Sequence, residues 1–310
     1  MADMIATRQA YGEFLVEKGR SMGNLVVMDA DLSKSTMTHG FSKEFPDRFF
    51  NMGISEQNMY GAAAGLALSG KVVCASTFAM FASGRAFEVV RNSIGYTGAN
   101  VKICATHAGI TVGEDGASHQ TFEDIALMRM IPGMRVLNPS DSVSAKKLLG
   151  QAVDAEGPFY VRLGRAAVPV IYGEGADIRI GTSNCLREGS DFTVIATGLM
   201  TAAALDAADA LRERGVSVRV IDMHTIKPLD GEAVERAARE TKGLVTAEEH
   251  SVIGGLGGAV AEHLAARCPA RIAFVGQRDC FGESGKPSEL LRKYSMTAED
   301  IVAAVAGLSA

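Results

Sequence analysis

The sequence predicts an α/β protein built of two doubly wound domains with mostly parallel sheets, and three observations carry that expectation. Short apolar runs alternate with stretches of helical periodicity along the chain. Several runs stop at polar or acidic residues, as buried parallel strands do where they end at a ligand-binding edge. Glycine is abundant, at 34 of 310 residues, which suits many tight strand-to-helix turns.

Helical spacing over residues 7–17 leads to the run Leu25-Val26-Val27-Met28, which ends in Asp29-Ala30-Asp31. The Gly/Ala-rich stretch from Glu56 to Gly70 reads as a buried helix, followed by a strand at 72–75, a helix over 85–94 and a strand at 101–105. Tyr160-Val161-Arg162-Leu163 closes this unit, and residues 166–183, rich in Gly, Pro and polar side chains, read as a linker. The domains are therefore expected at 1–168 and 187–310, with 169–186 between them. In the second, smaller domain the alternation resumes with strands at 192–197, 216–221, 244–247 and 271–275, separated by helices ending at 214 and starting at 230 and 257.

A net charge of −5 without a Lys/Arg run argues against nucleic-acid or membrane-surface partners. The five cysteines are scattered and form no Cys-x-x-Cys pair, which points to free thiols in a reducing cytoplasm and to no zinc site. Residues 1–20 mix charges with apolar positions and do not form a signal peptide. No segment reaches the roughly 18 apolar residues of a membrane span. A cytoplasmic location is expected.

Glu56 is the most informative residue. It stands in Gly53-Ile54-Ser55-Glu56-Gln57-Asn58-Met59, a lone carboxylate opening an otherwise apolar helix. Such an acid either stabilises the positive end of the helix or finds a partner and carries out chemistry. Downstream come Ser76-Thr77-Phe78-Ala79-Met80-Phe81 and the loop from Thr106-His107 through Gly113-Glu114-Asp115-Gly116 to His119-Gln120. Taken with Ala6-Thr7-Arg8, Ala30-Asp31-Leu32-Ser33-Lys34-Ser35, Asn138-Pro139-Ser140-Asp141 and Arg162-Leu163-Gly164-Arg165, these segments resemble the pyrimidine-binding domain of transketolase, a thiamine diphosphate enzyme. A weaker resemblance continues to the end of the chain.

The resemblance implies a role for each residue. Glu56 matches the acid that hydrogen-bonds the cofactor's aminopyrimidine ring and makes its amine a competent base for the thiazolium C2 proton. Phe78 and Phe81 match aromatics that pack on that ring, and Asp31, at a strand end, joins the cofactor-binding set. A third aromatic of some transketolases would fall at Gly84, which implies a more open pocket. His107 and Asp115 would contact the substrate's hydroxyls or phosphate, and His119, near the reacting carbonyl, would relay protons. Arg8, Ser35, His107 and Arg165 match positions that grip a sugar phosphate, where guanidinium groups suit a dianion.

A complete transketolase also has a domain that holds the diphosphate through magnesium or calcium, with a Gly-Asp-Gly run followed by an Asn. No such run occurs here, since Gly113-Glu114-Asp115-Gly116 belongs to the sugar loop. The chain therefore resembles the C-terminal subunit of a split transketolase of carbohydrate metabolism, such as the pentose phosphate pathway. Its expected partner is an N-terminal, diphosphate-binding subunit in an α2β2 assembly, with self-association through both of its own domains. Alternatives are the β subunit of a 2-oxoacid dehydrogenase, a deoxyxylulose phosphate synthase-like enzyme, and an inactive scaffold. Gly254-Gly255-Leu256-Gly257-Gly258-Ala259 lacks the full Gly-x-Gly-x-x-Gly spacing, so close helix packing is preferred there to a dinucleotide site.

Overall fold

The computed structural model describes residues 3–309. Strand β1 (Met4–Ala6) leads directly into helix α1 (Thr7–Ser21), strand β2 (Leu25–Asp29), helix α2 (His39–Glu44) and strand β3 (Phe49–Asn51). Helix α3 (Glu56–Leu68) and strand β4 (Val72–Phe78) follow, then a helical segment in which two π-helical stretches, Phe81–Arg85 and Val90–Gly95, flank a short α4 (Phe87–Val89). The expected regular helix over 85–94 is thus locally widened into π turns, a distortion often found near functional sites. Strand β5 (Val101–Thr106), helix α5 (Asp124–Met130), strand β6 (Arg135–Leu137), helix α6 (Ser142–Asp154) and strand β7 (Phe159–Arg162) complete the first unit.

Every residue of β2, β4, β5 and β7 is buried, because helices cover both faces of the sheet. That is why these strands read as continuous apolar runs with no alternation. Helix α6 begins with a reciprocal cap: the Asp141 side chain accepts the Ser144 N–H at 2.8 Å, and the Ser144 hydroxyl accepts the Asp141 N–H at 3.0 Å.

The stretch that composition marks as a linker is packed. Its strand β8 (Ala167–Pro169) pairs antiparallel with β1, pinning the start of α1. Tyr172 is buried and donates its hydroxyl to Asp222 at 2.7 Å, while the Ile171 and Tyr172 amides both donate to Asp141.

The second unit contains strands β9 (Asn184–Arg187) and β10 (Phe192–Ala196), helix α7 (Met200–Glu213), and strands β11 (Val218–Asp222) and β12 (Thr225–Lys227). Helix α8 (Gly231–Glu240), strand β13 (Leu244–Ser251), helix α9 (Leu256–Arg267), strand β14 (Ile272–Gln277), and helices α10 (Pro287–Lys293) and α11 (Ala298–Ser309) follow. Its own sheet has the order β14-β13-β10-β11-β9, parallel except for β9. Strand β12 leaves that sheet and pairs antiparallel with β6, so the first sheet reads β12-β6-β7-β5-β4-β2-β3. One apolar cluster runs from Met28 and Tyr60 in the first unit to Ile221, Val234 and Leu264 in the second.

The glycine segment before α9 serves packing. The buried Glu248 carboxylate receives the Leu256 and Gly257 amides at 2.7 and 2.8 Å, so the positive helix end already holds an anion. A side chain at Gly255 would collide with that carboxylate, and one at Gly257 with the Phe274 ring. Among the described residues, no helix is long and apolar enough to cross a membrane.

Candidate active site

The C-terminal ends of β2, β4, β5 and β7, together with the starts of α1 and α3, bring most of the expected site residues to one edge of the first sheet. Phe78 is the last residue of β4, His107 follows β5, and Arg165 lies three residues beyond β7. Arg8 is the second residue of α1, placed by the pairing of β1 with β8.

His107 organises the centre. Its ring stacks on Phe78 with 3.8 Å between centroids, and its backbone sits at φ +56°, an unusual conformation for a non-glycine residue. His119 meets Phe81 edge-on at 5.5 Å and Phe78 at 6.2 Å, while the Phe78 and Phe81 rings lie 6.0 Å apart and nearly parallel. These four rings form a continuous wall.

Arg8 reaches this wall from α1. Its Nη1 donates to the Ser35 carbonyl at 2.8 Å and lies 3.4 Å from His107 Nε2. A guanidinium only donates, so Nε2 is the accepting nitrogen and Nδ1 carries the proton, facing the Thr106 hydroxyl at 2.9 Å. Ser35 therefore acts here through its backbone oxygen. Arg165 is held by the Val112 carbonyl and by Glu114 at 3.1 Å, on the far side of the same loop.

The electrostatics of this cluster are unbalanced. Burial and the neighbouring Arg165 both depress Arg8 from its ordinary value. Among the described residues Arg8 has no carboxylate partner, and its Nε is buried without a hydrogen bond. Burial, then Arg8, Arg165 and His119, push His107 down to about 3. Two guanidinium groups and a neutral imidazole crowded in this way form a ready site for an anion, whose arrival would relieve the repulsion.

These shifts make a spectroscopic prediction. The His107 ring should show no titration by NMR between about pH 5 and pH 8. Because its folded pKa lies below the 6.5 of a free imidazole, the unfolded chain takes up a proton that the folded ring refuses, so this group costs stability as pH falls below 6.5. Inorganic phosphate should raise the His107 midpoint by offsetting both arginines. A midpoint above about 6 without added anion would contradict this environment.

Glu56 is the first residue of α3 and only 2% exposed. Its described partner is Arg85, whose Nη1 lies 3.4 Å from Oε2 and whose guanidinium rests over the Phe81 ring at 5.4 Å. A carboxylate with room for about four hydrogen bonds thus makes one long contact. One turn further along α3, the Tyr60 hydroxyl is buried and has no hydrogen-bond partner among the described residues.

Two expected residues stand apart from this centre. Asp31 is exposed, with φ +65°, and its side chain accepts from Asn51 Nδ2 at 3.1 Å. Asp115 is exposed at the end of the helical turn Ile110–Asp115, next to the Arg165–Glu114 pair. At the end of β2 the buried acid is Asp29, which accepts the Leu32 amide and the Thr36 and Thr38 hydroxyls and so fixes the loop that carries Ser35. Burial raises its carboxyl.

Other polar residues invisible to motif reading lie between the domains. Arg162 donates to both oxygens of Asp124 at 2.8 and 3.2 Å and to the Glu249 carbonyl at 2.9 Å, with Tyr160 completing the Asp124 cage. The pair belongs to the first unit, and the Arg162 bond to the Glu249 carbonyl ties it to the second. The sequence offers one signal for it: Glu248-Glu249-His250 sits at the end of an apolar run.

Fold and site together define a class, a pyrimidine-binding α/β domain joined to a smaller α/β domain. The chain matches the description "Transketolase, pyrimidine binding domain" over residues 3–170 and "Transketolase, C-terminal domain" over residues 181–301, and it belongs to the transketolase family. A chain of Methanocaldococcus jannaschii that carries the provisional description of transketolase C-terminal section is 51% identical over 95% of this chain and 93% of its own length. A 6-deoxy-6-sulfo-D-fructose transketolase subunit of a Clostridium species is 42% identical over 96% of this chain and 92% of its own. One of the subunits of an apulose-4-phosphate transketolase of Phocaeicola vulgatus is 39% identical over 96% of both chains. Among solved structures, one described as a split gene transketolase, inactive beta4 tetramer, superposes with a TM-score of 0.92 at 53% identity, covering 98% of each chain.

Proposed function

We propose that this chain is the C-terminal subunit of a thiamine diphosphate-dependent transketolase that moves a two-carbon ketol unit from a ketose phosphate to an aldose phosphate. The observation that carries the reading is the Arg8–Arg165–His107 cluster, in which Glu114 pairs with Arg165 and, among the described residues, no carboxylate pairs with Arg8, beside the aromatic wall and the buried Glu56. An oxoacid dehydrogenase or an inert scaffold gives no account of two guanidinium groups gathered on an imidazole at the edge that also carries a buried carboxyl. The names of the Clostridium and Phocaeicola proteins support the reading, since each sugar in them carries a tetrahedral anion that paired guanidinium groups suit.

The residues fit the pyrimidine half of the cofactor. Phe78 and Phe81 offer flat apolar faces for a heteroaromatic ring, and the Glu56 carboxyl can share a proton with its ring nitrogen. When bound, thiamine diphosphate supplies the nucleophilic carbon that accepts the ketol unit. This chain's part is to hydrogen-bond the ring nitrogen through the Glu56 carboxyl, to exclude water with the Phe78–Phe81 wall, and to orient the sugar. His119, half-buried at the rim of that wall, is placed to pass a proton to a substrate oxygen. Arg8, Arg165 and His107 take the phosphate, and Asp115 is reserved for hydroxyls. In the same reading the diphosphate and its magnesium are held by an N-terminal partner subunit, and the complex is cytoplasmic.

Mixing tests the split. The purified chain should bind thiamine diphosphate weakly and show no ketol transfer, and the diphosphate-binding partner should restore both. Full transfer by this chain alone would refute the two-subunit reading. A partner-dependent C2 proton exchange without ketol transfer to any sugar would instead refute the substrate assignment.

A further inference from the structure

Glu249 lies near the end of β13, in the second domain, with its side chain turned into the first. It is 3% exposed, and its Oε1 accepts the Thr111 N–H at 2.6 Å. Thr111 belongs to the turn Ile110–Asp115, whose next carbonyl, that of Val112, holds Arg165, and which starts three residues after His107. The loop is shaped around this carboxylate: Gly109 sits at φ +80°, and a side chain there would fall inside the Glu249 carboxyl.

We propose that Glu249 is a positioning residue for the phosphate subsite, a carboxylate of the second domain that fixes the loop presenting His107 and Arg165. The inference rests on the sugar-phosphate reading above and adds to it a residue that touches neither substrate nor cofactor. An amide donor to a buried carboxylate is a strong bond, and here it is aimed at a segment connecting two of the three phosphate-binding side chains, His107 and Arg165. Such a bond holds a loop more tightly than its own short helical turn can.

The charged groups around Glu249 are few. Arg162 approaches from β7 and Asp124 from α5, while its neighbours Glu248 and His250 turn toward the start of α9 and toward Asp124 respectively. Burial pushes the Glu249 carboxyl up to about 7 in spite of Arg162 and the Thr111 amide. The carboxylate is the better acceptor, so the grip on Thr111 strengthens as pH rises through 7 and weakens below it. In stability terms the sign is opposite. The folded state holds this proton more tightly than the unfolded chain, so the group favours folding at low pH and loses that contribution as pH rises from 4.5 to about 7.

The test uses the complex with its partner subunit and the variants Glu249→Ala and Glu249→Gln. Hydrogen–deuterium exchange over residues 107–116 should accelerate about tenfold or more in Glu249→Ala and stay close to wild type in Glu249→Gln, whose carbonyl still accepts the Thr111 amide. KM for a phosphorylated acceptor should rise about tenfold in Glu249→Ala with kcat within about twofold, and an unphosphorylated acceptor should be little affected. The ratio of wild-type to Glu249→Gln KM, in which the acceptor's own phosphate titration cancels, should change near pH 7. Unaltered exchange in Glu249→Ala, equal KM losses on both acceptors, or a ratio flat across pH 7 would each overturn the proposal. Failure of the function itself looks different: the wild type would not prefer phosphorylated sugars, and the exchange result would still judge Glu249 as an anchor. If Glu249→Ala does not fold, the pH dependence of the wild-type to Glu249→Gln KM ratio decides.

Discussion

Glu56→Gln should lower ketol transfer by the assembled enzyme about 10²- to 10⁴-fold, the scale of a lost acid–base contribution. The side chain is buried at the first position of α3, and its shape is nearly kept by the amide, so folding should be preserved. What the amide cannot do is hold a titratable proton opposite the ring nitrogen. The structural penalty is small: losing a negative charge at a helix start costs about 0.3–1 kcal/mol, too little to unfold the chain. Steady-state rates with the partner subunit and saturating cofactor check this, with circular dichroism as the control for folding. A loss below about tenfold would take Glu56 out of the mechanism.

Arg8→Ala and Arg165→Ala should each raise KM for a phosphorylated substrate about 10- to 150-fold, as expected for one charged hydrogen bond of about 1.5–3 kcal/mol. An unphosphorylated acceptor such as glycolaldehyde never makes that bond and should lose almost nothing. The two variants should differ in stability. Arg8 is a half-buried cation facing Arg165 and, among the described residues, has no carboxylate partner, so its removal should leave the melting temperature unchanged or higher. Arg165 ties the Val112 carbonyl, so its removal should loosen the loop slightly. Equal KM losses on both substrates would make these arginines structural, and the substrate class would fall with them.

Much of the fold was legible because both faces of its central strands are covered, which forces apolar runs that stop where the site begins. Phe78 and His107 stand at such ends, and Glu56 was conspicuous as the one acid of an apolar helix. The three-residue strands β3 and β12 were not legible, since so short a segment carries no periodicity. Choosing between Asp29 and Asp31 was beyond pattern reading for a different reason. Period-two alternation places both on one face of an extended strand, but the backbone turns left-handed at Asp31 and carries it to Asn51, leaving Asp29 as the buried anchor. Glu249 meets Thr111 across 138 positions, and no local signal reports a contact of that range.

The excursion of β12 into the first sheet means that the chain has two domains by architecture and one by mechanics. Cut anywhere between them, the piece ending near residue 170 would carry a bare β6 edge, ready to pair with another chain, and Arg162 and Asp124 would lose the wall that keeps water from them. Thermal opening of either half therefore strips the other of backbone partners, which couples the two into one cooperative transition. Distance changes between the domains are accordingly a poor way for this molecule to admit a ligand. Access to the Arg8–His107–Arg165 cluster has to come from outside their junction, and the geometry of that cluster is set by the fold itself.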